Sequence, residues 1–358
     1  AEGVSYGLIH NEQGTSSFSQ VGVNIVVYGS SAAELLVGLE PANYTIPGDG
    51  ALSLRRYFAV GDGTIASIAD IRNDIFGIEA VAVSGTVSSA GEPLQSAQIV
   101  VYQVLDADAN PPTLFIVNHS RTDAAGEYKL SVPPGNYQIR ANMEGYRFPD
   151  NAPLALAVKA DAAVTRDFDM PPSGFLDVTV IDQIGPGPAK LQLVGLDPSP
   201  PQTNVVATLI GGQEAGLFSD YKADGLPFGI AQVAFIDREG ASERITMEPG
   251  NYQLVISRGI SYSAYKEDII ITAGQVTTVQ AEIVKVIDDS GFVQSDFHVH
   301  SIDSPDSEVR REERVMVMLA EGIEFFTPSD HGSRSDFAPI LQAMGVADLI
   351  GVAVGSET

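Results

Sequence analysis

Val132-Pro133-Pro134-Gly135-Asn136-Tyr137-Gln138-Ile139 is echoed downstream by Met247-Glu248-Pro249-Gly250-Asn251-Tyr252-Gln253-Leu254. In each, a proline fixes φ and the next glycine permits φ > 0, which predicts a type II turn with a strand directly after it. A glycine-containing approach precedes the first copy, Thr122-Asp123-Ala124-Ala125-Gly126-Glu127-Tyr128. Two copies of one β-module are the simplest account of the echo.

The flanking sequence agrees. β-branched runs at 21–28, 81–87, 99–104, 175–181 and 276–286 are separated by Gly, Pro, Asn and Asp clusters. Helical periodicity is nearly absent before residue 305. Strands at such short spacing fit antiparallel sandwiches.

In the first copy, Gly85-Thr86-Val87, Gly91-Glu92-Pro93-Leu94, Ala97-Gln98-Ile99-Val100, the 122–128 segment, Pro134-Gly135-Asn136-Tyr137 and Gly145-Tyr146 follow in order. This stretch, about residues 80–170, resembles the carboxypeptidase regulatory-like family. The resemblance implies a seven-stranded transthyretin-like sandwich that serves as an accessory module. The second copy, about 174–287, matches more loosely and carries a long insertion at 197–229. Residues 1–80 read as the tail of a further β-domain. There, Tyr57-Phe58-Ala59-Val60-Gly61-Asp62-Gly63 looks like a strand entering a glycine turn.

Composition bounds the rest. The chain has 358 residues, enough for several cores, with 44% hydrophobic residues and no cysteine. Disulfides, thiolate metal sites and cysteine nucleophiles are therefore excluded. A formal net charge of −26 opposes binding to nucleic-acid phosphates and favours solubility. No apolar run reaches the roughly 18 residues that a membrane span needs. Ala1 in place of Met, with no basic or apolar leader after it, reads as a processed product or a fragment.

The chemistry collects near the end. Of five histidines, three lie at 298, 300 and 331, within Asp296-Phe297-His298-Val299-His300-Ser301 and Ser329-Asp330-His331. Residues i and i+2 of a strand share a face, so His298 and His300 can address one ion, and Asp296 on that face can orient an imidazole. Ser304-Pro305 reads as a helix start, with the helix running to Glu321 and Gly322 as its stop. That puts Asp306 in the first turn, Val309, Met316, Leu319 and Ala320 on the apolar face, and Arg310, Arg311, Glu312 and Glu313 in water. An apolar strand at 323–327, a helix at about 336–344 and a strand at 349–354 follow. The order strand–helix–strand–helix–strand predicts a parallel α/β arrangement with the candidate ligands at the C-terminal ends of strands. His10 and His119 read as surface or capping residues, the latter in a loop.

Asp-x-His-x-His at Asp296–His300, Ser304 and Asp306, Ser329-Asp330-His331 after Glu321-Gly322-Ile323-Glu324, and Gly355-Ser356-Glu357 resemble the PHP phosphoesterase family. The wording at 291–301 and 355–358 is most similar to its carbaryl-hydrolase-like branch. The resemblance covers about residues 291–358. It implies the opening part of a distorted (β/α)₇ barrel holding two or three metal ions. His298 and His300 would bind the first metal, Asp306 and His331 a second or third, and Glu357 would bridge. Asp330 would support His331, and Asp296 and Asp330 take the catalytic supporting roles. Ser329 stands where the family carries threonine, and Thr358 stops short of later family motifs, so the site is expected to be incomplete.

Imidazole and carboxylate ligands without thiolate suit Zn²⁺, Mn²⁺ or Fe²⁺. Paired ions lower the pKa of a bound water and stabilise both oxygens of a displacement. The expected architecture is thus multidomain and mainly β: an incomplete β-domain at 1–80, sandwiches at 81–172 and 173–288, and a truncated α/β barrel at 289–358. The expected activity is metal-dependent hydrolysis of a phosphoester, carbamate or other small-molecule ester, in the periplasm or outside the cell. No nucleic acid is expected as partner: residues 291–358 hold four Arg against twelve acids. The β-modules are left to dock a partner or polysaccharide. The rival reading is an extracellular β-sandwich binding or surface protein with a non-functional hydrolase remnant.

Overall fold

The computed structural model describes residues 5–10, 16–20, 23–27, 56–106, 113–147, 154–197 and 229–358. The insertion expected at 197–229 falls almost wholly outside them. The chain divides into two compact units, with the boundary between the sandwiches at Pro172.

In the first unit, one sheet runs in the order Leu154–Val158, Gly135–Asn142, Gln98–Asp106, Thr113–Arg121, all antiparallel. The other is built on Val81–Ser89, which pairs antiparallel with Glu92–Pro93 and Glu127–Val132 and parallel with Val164–Thr165 and Phe168–Met170. Alternate residues of each strand face inward, as a two-residue period dictates. Val83, Val87, Ile99, Val101, Leu130, Val132, Ile139, Ala141 and Leu156 form the core. Burying each of the larger ones stabilises the fold by about 1.5–3 kcal/mol.

The second unit repeats this plan. Gly174–Ile181 pairs antiparallel with Ile245–Met247 and parallel with Val276–Glu282. The facing sheet runs Ile230–Ile236, Ala189–Asp197, Gly250–Ser257, Tyr265–Ile271. Leu176, Val178, Leu191, Leu193, Tyr252, Leu254 and Ile256 lie in its core.

The echoed motif occupies the same corner of both sandwiches, but its mechanism differs from the expectation. Gly135 and Gly250 are absent from the positive-φ glycines, so neither forms a type II turn. Instead Tyr137 Oη donates to Pro133 O at 2.9 Å and Tyr252 Oη donates to Glu248 O at 2.7 Å. The aromatic ring of the first copy folds back over the glycine: a Cβ on Gly135 would lie 3.1–3.2 Å from the Tyr137 side chain, a tight contact.

A helix not expected from the sequence, α1 (Ile65–Phe76), follows strand Arg56–Gly61. Thr64 caps it by accepting from Ser67 N, and Gly77 ends it in the left-handed region at φ 61°. Asp62 of the Asp-Gly turn accepts from Thr64 N and Oγ1, which holds its carboxyl below the usual range. Ala66 of α1 joins the first sandwich's core. His119, expected in a loop, lies in strand Thr113–Arg121.

Residues 289–358 contain strands Ser295–Val299, Phe325–Pro328 and Gly351–Val352, parallel and in that order, with helices α2 (Arg311–Ala320) and α3 (Ala338–Ala343) between them. The strand–helix alternation and the three strands are as expected, and the sheet is open; the described residues form no barrel. Val299, Val315, Leu319, Phe326, Phe337 and Leu341 make its core. Helix α2 packs against strands Ala189–Asp197 and Ile230–Ile236 of the second sandwich.

The start of α2 corrects the expectation at Ser304-Pro305. The helix begins at Arg311, where Glu313 accepts from Arg310 N at 3.2 Å. Asp306 therefore lies in the preceding turns, not in a helix. The buried face is Val315, Met318, Leu319 and Ala320. Arg311, expected in water, pairs with Asp303 (Nε–Oδ2 2.6 Å) and lies over the Phe337 ring.

Candidate metal centre

Three parallel strands end on one side of the small sheet, and each delivers part of one cluster. Ser295–Val299 carries His298 and leads to His300; Phe325–Pro328 leads to Asp330 and His331; the segment after Gly351–Val352 brings in Glu357. A parallel bridge between His331 and Glu357 extends the ladder past the last strand. Gly332 N donates to Glu357 O at 3.0 Å, and Glu357 N to Asp330 O at 3.2 Å.

The side chains converge. Glu357 Oε2 lies 3.1 Å from His298 Nε2, 3.4 Å from His300 Nε2 and 3.9 Å from His331 Nε2. On the other edge of the His300 ring, Nδ1 lies 3.4 Å from Asp306 Oδ1, and Asp306 Oδ2 lies 3.4 Å from His331 Nε2. Two ligand triplets result, His298–His300–Glu357 and His300–Asp306–His331, each with donor atoms within 4.8 Å of one another. The two triplets share one imidazole.

Serines and one buried aspartate hold this arrangement. Ser304 Oγ donates to Asp306 Oδ1 at 2.5 Å, accepts from His331 N at 3.1 Å and touches His300 Nδ1 at 3.1 Å. That engagement explains why Ser304 does not cap a helix. The Ser304 bond, and then the nearby imidazoles, hold the Asp306 carboxyl below its usual range against the opposing effect of burial. Asp330 is fully buried and accepts from Ser301 N at 2.6 Å, Ser301 Oγ at 2.9 Å and Ser335 Oγ. It therefore braces the backbone beside His300, and it makes no hydrogen bond to the His331 ring. Asp296 accepts from His298 N at 3.0 Å and likewise does not hold an imidazole.

The donor set fits a divalent ion. With metal–ligand bonds of about 2.0–2.2 Å, tetrahedral geometry spaces donor atoms roughly 3.3–3.6 Å apart. The Glu357 Oε2 separations of 3.1 and 3.4 Å from His298 and His300 are close to that. Glu357 Oε2 is also buried without any hydrogen-bond partner, although three ring nitrogens lie nearby. The ring nitrogens lie 3.1–3.9 Å away without forming a hydrogen bond to it. A buried carboxylate oxygen left in this state is costly unless something else satisfies it.

Strand spacing pointed to His298 and His300, and the PHP resemblance added Asp306, His331 and Glu357; Ser301 and Ser335 were not singled out, and Ser304 was read as a helix cap. His119 is half-buried with Nδ1 unpartnered, and burial lowers its pKa; it does not join a ligand cluster among the described residues. The side chain of His10 lies outside the described set.

The carboxypeptidase regulatory-like domain matches residues 82–171, in agreement with the first-sandwich resemblance. No curated protein matches the chain. Among solved structures, a streptococcal ancillary pilin is 15% identical with a TM-score of 0.30, over 57% of this chain and 62% of its own. A shaft pilin from Lactobacillus rhamnosus GG is 14% identical with a TM-score of 0.31, over 60% of this chain and 100% of its own. The Bacillus anthracis TIE protein is 12% identical with a TM-score of 0.24, over 66% of this chain and 40% of its own. The chain thus spans less than two thirds of the anthrax protein and of the streptococcal pilin. At these TM-scores the likenesses fix neither a fold nor a role.

These findings overturn the expected PHP-family ester hydrolase. The domain matched is a regulatory-like β-sandwich, and it lies wholly outside 291–358. The small-molecule ester substrate falls with that reading.

Proposed function

We propose that the chain is a β-sandwich binding protein of the extracellular surface, whose α/β segment holds a divalent metal ion as part of its binding surface. Two sandwiches with separate continuous cores supply most of the described structure, which suits a docking role. Among the described residues no helix is long and apolar enough to cross a membrane. A net charge of −26 favours solubility and electrostatic attraction to cations.

The observation that carries the metal assignment is the spacing of His298, His300 and Glu357 around an unpartnered carboxylate oxygen. Imidazole and carboxylate donors suit Zn²⁺, Mn²⁺ or Fe²⁺. A neutral imidazole has one ring nitrogen free to ligate. His300 therefore serves one triplet at a time, and the proposal is a single ion rather than two or three.

Calorimetric titration of Zn²⁺ into the apo chain tests this. A binding isotherm for the parent chain that disappears in His300→Ala supports the assignment. An isotherm unchanged in that variant overturns it.

A further inference from the structure

Ser304 is buried, and tight turns fix it: its N–H donates to Ser301 O at 2.9 Å and its carbonyl accepts from Ser307 N at 3.2 Å. Among the described residues, three polar atoms surround its hydroxyl. Asp306 Oδ1 lies at 2.5 Å, His331 N at 3.1 Å and His300 Nδ1 at 3.1 Å. A serine hydroxyl has one proton to give and two lone pairs that accept. An ionised carboxylate only accepts, so the proton goes to Asp306. A backbone N–H only donates, so His331 N takes one lone pair. The other lone pair is left for His300, and only an Nδ1–H can use it. The Asp306 carboxylate, 3.4 Å from Nδ1, favours a proton on that same nitrogen.

We propose that Ser304 and Asp306 are positioning residues: they hold the His300 proton on Nδ1, so that Nε2 ligates and the ion sits between His298, His300 and Glu357. The inference deepens the metal reading of the preceding subsection and rests on it. His300 is shared by two triplets, and its tautomer decides between them. On the Asp306 side the ring presents Nδ1, whose lone pair the proton occupies. On the Glu357 side it presents Nε2, 3.4 Å from Glu357 Oε2, with a lone pair free for a metal. That carboxylate oxygen is buried with no hydrogen-bond partner, as it must be where the His300 nitrogen facing it carries no proton. A ligating imidazole ordinarily donates its other N–H to a fixed acceptor, which sets the ring's orientation and raises its basicity. Here the acceptor is a serine already committed to a carboxylate. Asp306, expected as a ligand, thereby acts through Ser304 and His300 and not on the ion.

The test uses the full chain with Ser304→Ala and Asp306→Asn, each shown by circular dichroism to be folded. The first removes the hydroxyl. The second removes the carboxylate charge but keeps an oxygen that accepts from Ser304. Imidazole ¹⁵N NMR of the metal-free chain at about pH 8, above the ordinary imidazole range, reads the tautomer, with His300→Ala locating the signals. The parent and Asp306→Asn are expected to carry the proton on Nδ1, and Ser304→Ala to lose that preference. Zn²⁺ titration should then give an affinity roughly 10–100-fold weaker in Ser304→Ala and within a few-fold of the parent in Asp306→Asn. A proton on Nε2 of His300 in the parent overturns the proposal. So does parent-like Zn²⁺ affinity in Ser304→Ala, or a loss in Asp306→Asn as deep as in Glu357→Gln. If Zn²⁺ does not bind the parent, the metal reading fails by itself, and the tautomers of parent and Ser304→Ala decide the positioning claim.

Discussion

Lys190 Nζ, on the second sandwich, lies 2.7 Å from Oε1 of Glu321, the residue that ends helix α2. The contact marks how 289–358 is held: the segment docks its helix on the sandwich that precedes it. Both side chains are partly exposed, so the pair contributes at most about 1 kcal/mol. Closer packing does more. Gly259 sits at φ 58° with Glu321 O 2.1 Å from where a Cβ would be. Arg238 reaches Asp348 at 2.8 and 3.2 Å.

Gly259→Ala is therefore expected to loosen the docked segment. The left-handed conformation alone costs an alanine about 1 kcal/mol, and the clash is with backbone, which cannot swing away. Limited proteolysis should cut 289–358 faster in the variant while both sandwiches survive. Unchanged cleavage there would show that the segment does not depend on this contact.

Asp289 ties the linker to the sandwich. It pairs with Lys285 Nζ at 2.5 Å and accepts from Ser261 Oγ at 2.8 Å and Gln294 Nε2 at 3.1 Å. The Lys285 contact, then the Ser261 bond, hold its carboxyl down at about 2, against an ordinary 3.8. A lowered folded-state pKa gives stability that is complete above the ordinary value and is lost as pH falls toward the folded one. Denaturant midpoints should thus drop between about pH 4 and pH 2, and Asp289→Asn should flatten that part of the profile. Identical acid profiles would contradict the assignment.

Tyr252 gives the alkaline counterpart. Its hydroxyl bonds Glu248 O, and burial, with Glu248 beside it, pushes its pKa up to about 12 from 10. A raised folded-state pKa gives stability that is present below the ordinary value and lost as pH climbs toward the raised one. Tyr252→Phe should cost about 1 kcal/mol at neutral pH and remove that alkaline decline. Tyr137→Phe should cost a similar amount in the first sandwich. A neutral effect of both would mean the echoed motif is held by its ring packing alone.

Much of this was legible in the sequence, for physical reasons that differ by element. The Pro-Gly-Asn-Tyr echo located both sandwiches, since its tyrosine must fold back onto the same corner in each copy. His298 and His300 were found because a strand puts i and i+2 on one face. Helix α1 was missed because residues 1–80 read as the tail of a β-domain, although Ile65, Ile68, Ile71 and Ile75 follow helical spacing. The start of α2 was misplaced because Ser304 has the chemistry of a cap and spends it on Asp306 and His331 instead. The hydrolase reading failed at a different level. Local ligand spacing extends only a few residues past each strand end, and it does not specify what reaction, if any, a ligand set serves.

The metal site is the central claim, and metal content per chain by plasma mass spectrometry, after dialysis against Zn²⁺ and then buffer, tests it most directly. About one equivalent of zinc in the parent chain, lost in both His300→Ala and Glu357→Gln, is the predicted result. Zinc at the background level in the parent, or content unchanged in both variants, would contradict it.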